Sequence, residues 1–462
     1  MAEEPDLSRY YFKTPEKDVF RLPKGLSEKT VRAISAEKGE PDWMLQKRLD
    51  AYNLFLKLPM PEFGPDLSRL DFNEITYYIK SSAQKARKWE DVPEHIKETF
   101  DKLGVPESER KFLAGVEAMF ESEAVYQGLR EEWAEKGIIL TDTDTALKQY
   151  PEIIKKYFGT VVSAGDNKFS ALNTAVWSGG SFLFIPKNVK LEIPVQAYFR
   201  INAKAFGQFE RTLIVCEEGS KIHYTEGCTA PIYDEASLHA AVVECIVQKG
   251  AHLRYTTIQN WSTNVYNLVT KRAFAYENAL VEWVDGNIGS GINMKYPAVY
   301  LKGKGARAEF LSIAYAGQGQ YQDAGARAIH EAEDTTSVIN SKNIAKNGGI
   351  TSFRGTVRFS ENARGAKSSV RCDALLLDSI SRNATYPLLQ TAQSDSSIAH
   401  EARVGRISEE QVFYLMSRGL SESEATSLIV LGFIDNFIKE LPLEYAVEFN
   451  RLVQLEMGKG MG

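Results

Sequence analysis

One short pattern, a turn residue followed by a strand-like run, returns at nearly constant spacing through the second half of this 462-residue chain. GSKIHY starts at 219, GAHLRY at 250, NALVEW at 278, GARAEF at 305, DTTSVI at 334, GAKSSV at 365 and DSSIAH at 395, intervals of 27 to 31 residues. A fixed period of that size marks a stack of repeated structural units. The surrounding runs are rich in Val, Ile, Thr, Tyr, Phe and Ala and are broken by Gly, Asn and Asp, which is strand-and-turn composition. The helices that would separate the parallel strands of a doubly wound sheet are missing. The reading is therefore a parallel β-solenoid over residues 160–405. Each strand pairs with its equivalent one turn away, about 4.8 Å distant, so backbone groups lack partners only at the two ends. A jelly-roll sandwich would instead place hairpin turns about every 8 to 12 residues.

The flanks have a different texture. Residues 1–159 read as a helical region: in LSEKTVRAISAEKGEPDWMLQKRLDAYNLFLKL, Val31, Ile34, Trp43, Leu45, Leu49 and Leu54 recur at helical spacing, and Pro41 divides the pattern into two helices. ERKFLAGVEAMFESEAVYQGLREEWAEKG and DTALKQYPEIIKKYFG read as further amphipathic helices, with Gly137 as a stop. Residues 406–462 read as a helical domain. Ser408 with Gln411, and Ser421 with Glu424, have capping-box spacing. The second helix there carries Ala425, Leu428, Ile429, Leu431, Ile434 and Phe437, too broad an apolar set for one face. It should pack on the solenoid and also offer surface to a partner, and PLEYAVEFNRLVQLEM should follow as a third helix.

Composition excludes several functions. Lys plus Arg number 55 against 61 Asp plus Glu, a net charge of -6, the wrong sign for a nucleic-acid binder. No run approaches the roughly 20 apolar residues of a membrane span. The start, MAEEPDLSRYYF, lacks a basic and then apolar leader pattern, so the cytoplasm is the expected compartment. The four cysteines form no CxxC pair, which disfavours a disulfide framework and a tetrahedral zinc site. There is no GxxxxGK[ST], GxSxG or HExxH, and GSGIN at 289 lacks the context of a dinucleotide site. The chain should not hydrolyse ATP by itself.

The metal-competent residues gather in the last turns of the repeat: Cys372 in SSVRCDALLL, and His400 and Glu401 in DSSIAHEARVGR. Aligning Gly365 with Asp395 gives Cys372 and His400 the same parity, with Cα atoms roughly 8 Å apart. A thiolate suits iron–sulfur chemistry, an imidazole suits iron, and a carboxylate can complete a replaceable shell. A lone strand cysteine is nonetheless most often a small buried hydrophobe. Cys228, in TEGCTAP where a strand gives way to a turn, is open to the same two readings. Cys216 and Cys245 read as core. His223, His239, His252 and His330 take no role from spacing. Arg200, Gln259, Trp261 and Lys271 are most simply explained by packing.

AVWSGGSFLFIPKNV, QAYFRINA, YTEGCTAP, TIQNW, NLVTKRA, the EPDWML block and GRISEEQVFYLMSRGLSESEA occur in an order that resembles the SufB branch of the SufB/SufD family over nearly the whole chain. That resemblance implies a right-handed parallel β-helix whose C-terminal helices dock the ATPase SufC. It also implies a β-helix edge that pairs with SufD or a second SufB, enclosing Cys372, His400 and Glu401 as the place where a transient iron–sulfur cluster is built. Cys228 would accept sulfur from a SufE- or SufU-type donor fed by a cysteine desulfurase, and Arg200, Asn202, Gln259, Trp261 and Lys271 would line the path to Cys372. Reduced flavin is a further cofactor the family allows, without a recognisable motif here. Some relatives carry an N-terminal cysteine motif, whereas here no cysteine precedes Cys216. The competing expectations are a SufD-like structural partner without thiol chemistry, and a carbohydrate-active β-helix enzyme with paired carboxylates in a groove.

Overall fold

The computed structural model describes residues 19–80, 115–201, 205–229, 236–439, 441, 446 and 453. Its centre is a parallel β-helix. The strands that carry the repeat, Lys221–Thr229, His252–Trp261, Leu280–Gly289, Arg307–Ala316, Thr336–Ala345, Lys367–Leu376 and Ser397–Arg406, lie side by side in one sheet. Their register runs unbroken through Lys221, His252, Leu280, Arg307, Thr336, Lys367 and Ser397. A second sheet, which includes Val242–Val247, Val265–Ala275, Tyr321–His330, Ile350–Phe359 and Arg382–Thr391, faces it across the largest apolar core.

The turn residue of the repeat has a backbone reason. Gly219, Gly250, Asn278, Gly305, Asp334 and Gly365 all have φ between 54° and 70°. Glycine enters that left-handed region freely, and Asn and Asp are the side chains that best tolerate it.

The N-terminal flank is only partly helical. Pro41 separates helices Glu28–Lys38 and Asp42–Lys57 as expected, and Ser27 and Gly39 cap the first. The stretch read as a helix from residue 109 to 137 is instead a hairpin of strands Gly115–Phe120 and Glu123–Leu129, with only Glu131–Ala134 helical. Gly115–Phe120 pairs in parallel with Val195–Arg200 and so continues the first sheet. Val116, Ala118, Met119 and Phe120 are all buried, and tertiary burial on both faces overrides a helix-compatible local pattern. The hairpin also seals that end of the β-helix, leaving its outer strand antiparallel.

A second departure is helix Lys168–Val176, inside the region read as strands. Asn167 caps it, and Asn173 donates from Nδ2 to the carbonyls of Phe209, Glu210 and Ala240, fastening it to the solenoid.

Beyond the solenoid, helices Glu409–Ser417 and Glu422–Ile438 follow. Ser421 and Glu424 form the full reciprocal capping box, whereas Ser408 caps its helix one way, accepting from the Gln411 N–H. Val430, Ile434 and Phe437 pack on Ile258, Val284, Ile288, Ile313 and Ile344, the outer face of the first sheet. The expected third helix lies almost wholly outside the described residues. Among the described residues no helix is long and apolar enough to cross a membrane.

Candidate functional site

Successive strands in exact register place equivalent side chains in columns on one face of the sheet. One inward column runs Glu226, Thr257, Asp285, Ser312, Ser341, Cys372 and Ala402. All except Ala402 are buried. Cys228 lies two residues beyond Glu226 on the same face, paired with Gln259. A line of small or charged polar side chains therefore joins the neighbourhood of Cys228 to Cys372, five strand steps or about 24 Å along the lumen.

At its first end the lumen is densely polar. The Cys228 thiol donates to Glu226 Oε1 at 3.5 Å, and Tyr255 donates its hydroxyl to the other carboxylate oxygen. Lys271, from the facing sheet, sits 4.5 Å over the Tyr255 ring, donates to Thr257 Oγ1 and reaches Asp285 at 3.5 Å. Lys295 completes the group, donating to Asp285 at 2.8 Å and to Gln259 Oε1 at 3.2 Å. Gln259 Oε1 also accepts from Asn267, whose Oδ1 accepts from His239 at 2.6 Å, and His239 pairs with Glu210. The Trp261 ring lies 4.7 Å from that imidazole.

These contacts set the protonation states. Burial, then the Glu226 and Glu210 carboxylates, push the Cys228 thiol well above its ordinary value, against the pull of Lys271. Burial also disfavours the Asp285 anion, but Lys295 and Lys271 overcome it and hold this carboxyl below the usual range. Lys295 is brought down to about 8 by burial, opposed by Asp285 and assisted by the repulsion of Lys271. Burial works against protonated His239, yet Glu210 and Asn267 keep its pKa raised.

At the other end the surroundings change. Cys372 is 3% exposed and its thiol is pushed up to about 12 by burial and then by Asp373. His400 pairs with Val370, two residues from Cys372, so the imidazole and thiol share a face as their parity predicts. Among the described residues, His400 Nε2 is buried without a hydrogen-bond partner. Glu401 lies on the opposite face, beside Arg371 and paired with Arg403. Among the described residues no three His, Cys, Asp or Glu side chains gather closely enough to hold a metal ion. Among the described residues, this strand is one terminal strand of its sheet, and Arg382–Thr391 is one terminal strand of the other. Tyr386, Leu388, Leu389 and Val404 are exposed there.

The other residues divide. Gln259, Trp261 and Lys271 are buried in the lumen network rather than placed at a surface. Arg200 is buried but follows Phe199, the register partner of Cys228, and so lies on the opposite face of the strand. Asn202 lies outside the described residues. Cys216 and Cys245 are core, as read. Sequence reading missed Glu226, Asp285, Ser312, Ser341, Lys295 and His239. A signal existed for the first four: each stands seven residues after its repeat's turn residue, as Cys372 does.

The class the fold and lumen define is a parallel β-helix with a buried polar column running along its inside. Residues 199–433 match the family model for the SUF system FeS cluster assembly SufBD core domain, and residues 32–197 match that for the SufBD protein N-terminal region. Proteins named iron-sulfur cluster assembly SufBD family protein, from Staphylococcus aureus (strain USA300) and Staphylococcus haemolyticus (strain JCSC1435), are each 58% identical over 460 residues, 99% of both chains. The chain belongs to the SufB/SufD family of iron–sulfur cluster assembly proteins.

Proposed function

We propose that this chain is the SufB-type scaffold of that family, on which sulfur and iron are combined and from which the nascent cluster is handed on. The observation that carries the reading is the single register column that leads from Glu226, beside Cys228, to Cys372. Sulfur enters at Cys228, delivered as a persulfide by a SufE- or SufU-type donor working with a cysteine desulfurase, and moves along the lumen to Cys372. Iron binds at the free edge, where Cys372 and the unpartnered His400 nitrogen offer a thiolate and an imidazole. Glu401 joins them once pairing with SufD or a second copy of this chain rearranges its arginine contacts. Few protein ligands make the cluster labile, which release requires.

The SufC ATPase docks on the C-terminal helices. Phe413, 73% exposed, and the exposed Tyr414, Met416 and Leu428 on these helices offer apolar surface for that contact. Nucleotide-driven closure of SufC then pulls on the Glu422–Ile438 helix, which is packed on the sheet that carries Cys372. The division of residues 1–159, 160–405 and 406–462 into flank, assembly core and ATPase dock belongs to the same proposal, as do the cytoplasmic location and the scaffold, rather than enzymatic, role.

The test is anaerobic reconstitution of the full chain with ferrous iron, sulfide and thiol, with and without SufC and SufD, followed by visible and Mössbauer spectroscopy. A cluster that forms in the wild type and is lost in Cys372→Ser supports the scaffold. Cluster formation undiminished by Cys372→Ser would assign the chain the SufD-like structural role.

A further inference from the structure

The scaffold reading leaves unexplained how Cys228 becomes a nucleophile. The residue is 1% exposed, and burial together with two nearby carboxylates disfavours the thiolate. A thiol in that setting reacts only if its proton has somewhere to go as the new bond forms.

We propose that Glu226 is a catalytic residue, the proton acceptor that activates Cys228 for sulfur transfer. The two side chains are at positions i and i+2 of one strand, on one face, with the S–H directed at Glu226 Oε1 at 3.5 Å. The Tyr255 hydroxyl holds Oε2, so the carboxylate cannot swing away. The charged and titratable groups facing this pair come from every packed element: Tyr224 on its own strand, Tyr255 on the next, Glu210, His239 and Cys245 from neighbouring coils, and Lys271 and Lys295 across the lumen. The two lysines offset the negative charge that accumulates while sulfur is in transit.

The Cys228 sulfur attacks the terminal sulfur of a donor persulfide, R–S–SH, forming a new S–S bond. The donor's S–S bond breaks and its electron pair leaves on R–S⁻. The Cys228 proton passes to Glu226, giving Cys228–S–SH and a neutral carboxyl, and no net oxidation or reduction occurs.

This inference rests on the reading of Cys228 as the sulfur acceptor, and the experiment separates the two. Full-length protein is treated anaerobically with sodium tetrasulfide, and persulfide formation at each cysteine is followed by mass spectrometry over about pH 6 to 10, with a cysteine peptide in the same tube as reference. With a carboxylate acceptor, the ratio of the Cys228 rate to the peptide rate falls as pH rises, because the peptide alone gains about tenfold per pH unit below its own pKa. A ratio that is constant or rises overturns the proposal, and this arm needs no variant. Glu226→Gln, nearly isosteric, should load Cys228 at least tenfold more slowly near pH 7, with the gap closing toward pH 10. Loading of Glu226→Gln with the wild-type rate and pH profile would reduce Glu226 to a structural partner. No persulfide on wild-type Cys228 at any pH, while Cys372 is loaded, would overturn the sulfur-entry reading and this inference with it.

Discussion

The two thiols at the ends of the lumen column are both buried, yet they are buried by different means. Around Cys228 the interior is filled by hydrogen-bonded charge: Glu226 with Tyr255, Asp285 between Lys271 and Lys295, and Glu210 with His239. Around Cys372 it is filled by Ile339 and Val370 and closed by a single free-edge strand. Buried charge is costly unless it is paired, and at the Cys228 end the charged groups find their counter-charges within one chain, although Glu210 Oε2 and Gln259 Nε2 have no hydrogen-bond partner among the described residues. The Cys372 end keeps an unpaired sheet edge and a partnerless imidazole nitrogen, both of which another molecule can satisfy. One thiol lies inside a network of paired charges, whereas the other lies beside a sheet edge.

The sharpest way to break this contrast is to remove the carboxylate that two buried lysines share. Asp285→Ala should cost about 3–5 kcal/mol, because it leaves the cations uncompensated. Urea unfolding measures it, and a loss below about 1 kcal/mol would mean the lysines are not held charged in the lumen.

The next test uses pH, through two histidines of opposite character. His239 has a raised pKa, so its contribution is fully present below its unfolded value of 6.5 and is lost as pH rises through the higher folded value. His330 is lowered to about 3 by burial, with Thr335 and Ser337 on its two nitrogens. The unfolded chain therefore takes up that proton first, and stability falls as pH drops from 6.5 toward 3. Urea midpoints across pH should lose part of their alkaline decline in His239→Gln and part of their acid decline in His330→Gln. Curves parallel to wild type in both variants would contradict the assignment.

A smaller effect probes the C-terminal helices. Ser421→Ala removes the side-chain half of the capping box on the Glu422–Ile438 helix and should cost about 1 kcal/mol, read as a lower thermal midpoint. An unchanged midpoint would show that packing on the solenoid alone sets the helix.

The smallest change is expected from Ser341→Ala, at the seam between the two halves. Among the described residues Ser341 Oγ is buried without a hydrogen-bond partner, so its loss should alter stability by less than about 0.5 kcal/mol while slowing the passage of labelled sulfur from Cys228 to Cys372. A stability loss well above that would make Ser341 a structural residue.

Much of this arrangement was legible because a solenoid writes its geometry into the chain as a period. A turn residue must return wherever the backbone enters the left-handed region, and the strands between must be equal in length for the stack to close. Gly219 through Gly365 therefore announced the β-helix, and the shared parity of Cys372 and His400 followed from the same alignment. The capping box at Ser421 was visible for a similar reason, since its contacts are local. What the sequence could not determine was anything that depends on a second layer. The hairpin at 115–129 is a strand pair because a sheet end lies beside it. Lys271 and Lys295 meet Asp285 only when the facing sheet crosses the lumen, whereas the turning of Glu401 away from His400 follows from strand alternation alone and was open to the sequence. Local backbone geometry and period are properties of the chain, whereas the pairing of buried charges is decided only when distant coils are brought within a few ångströms of one another.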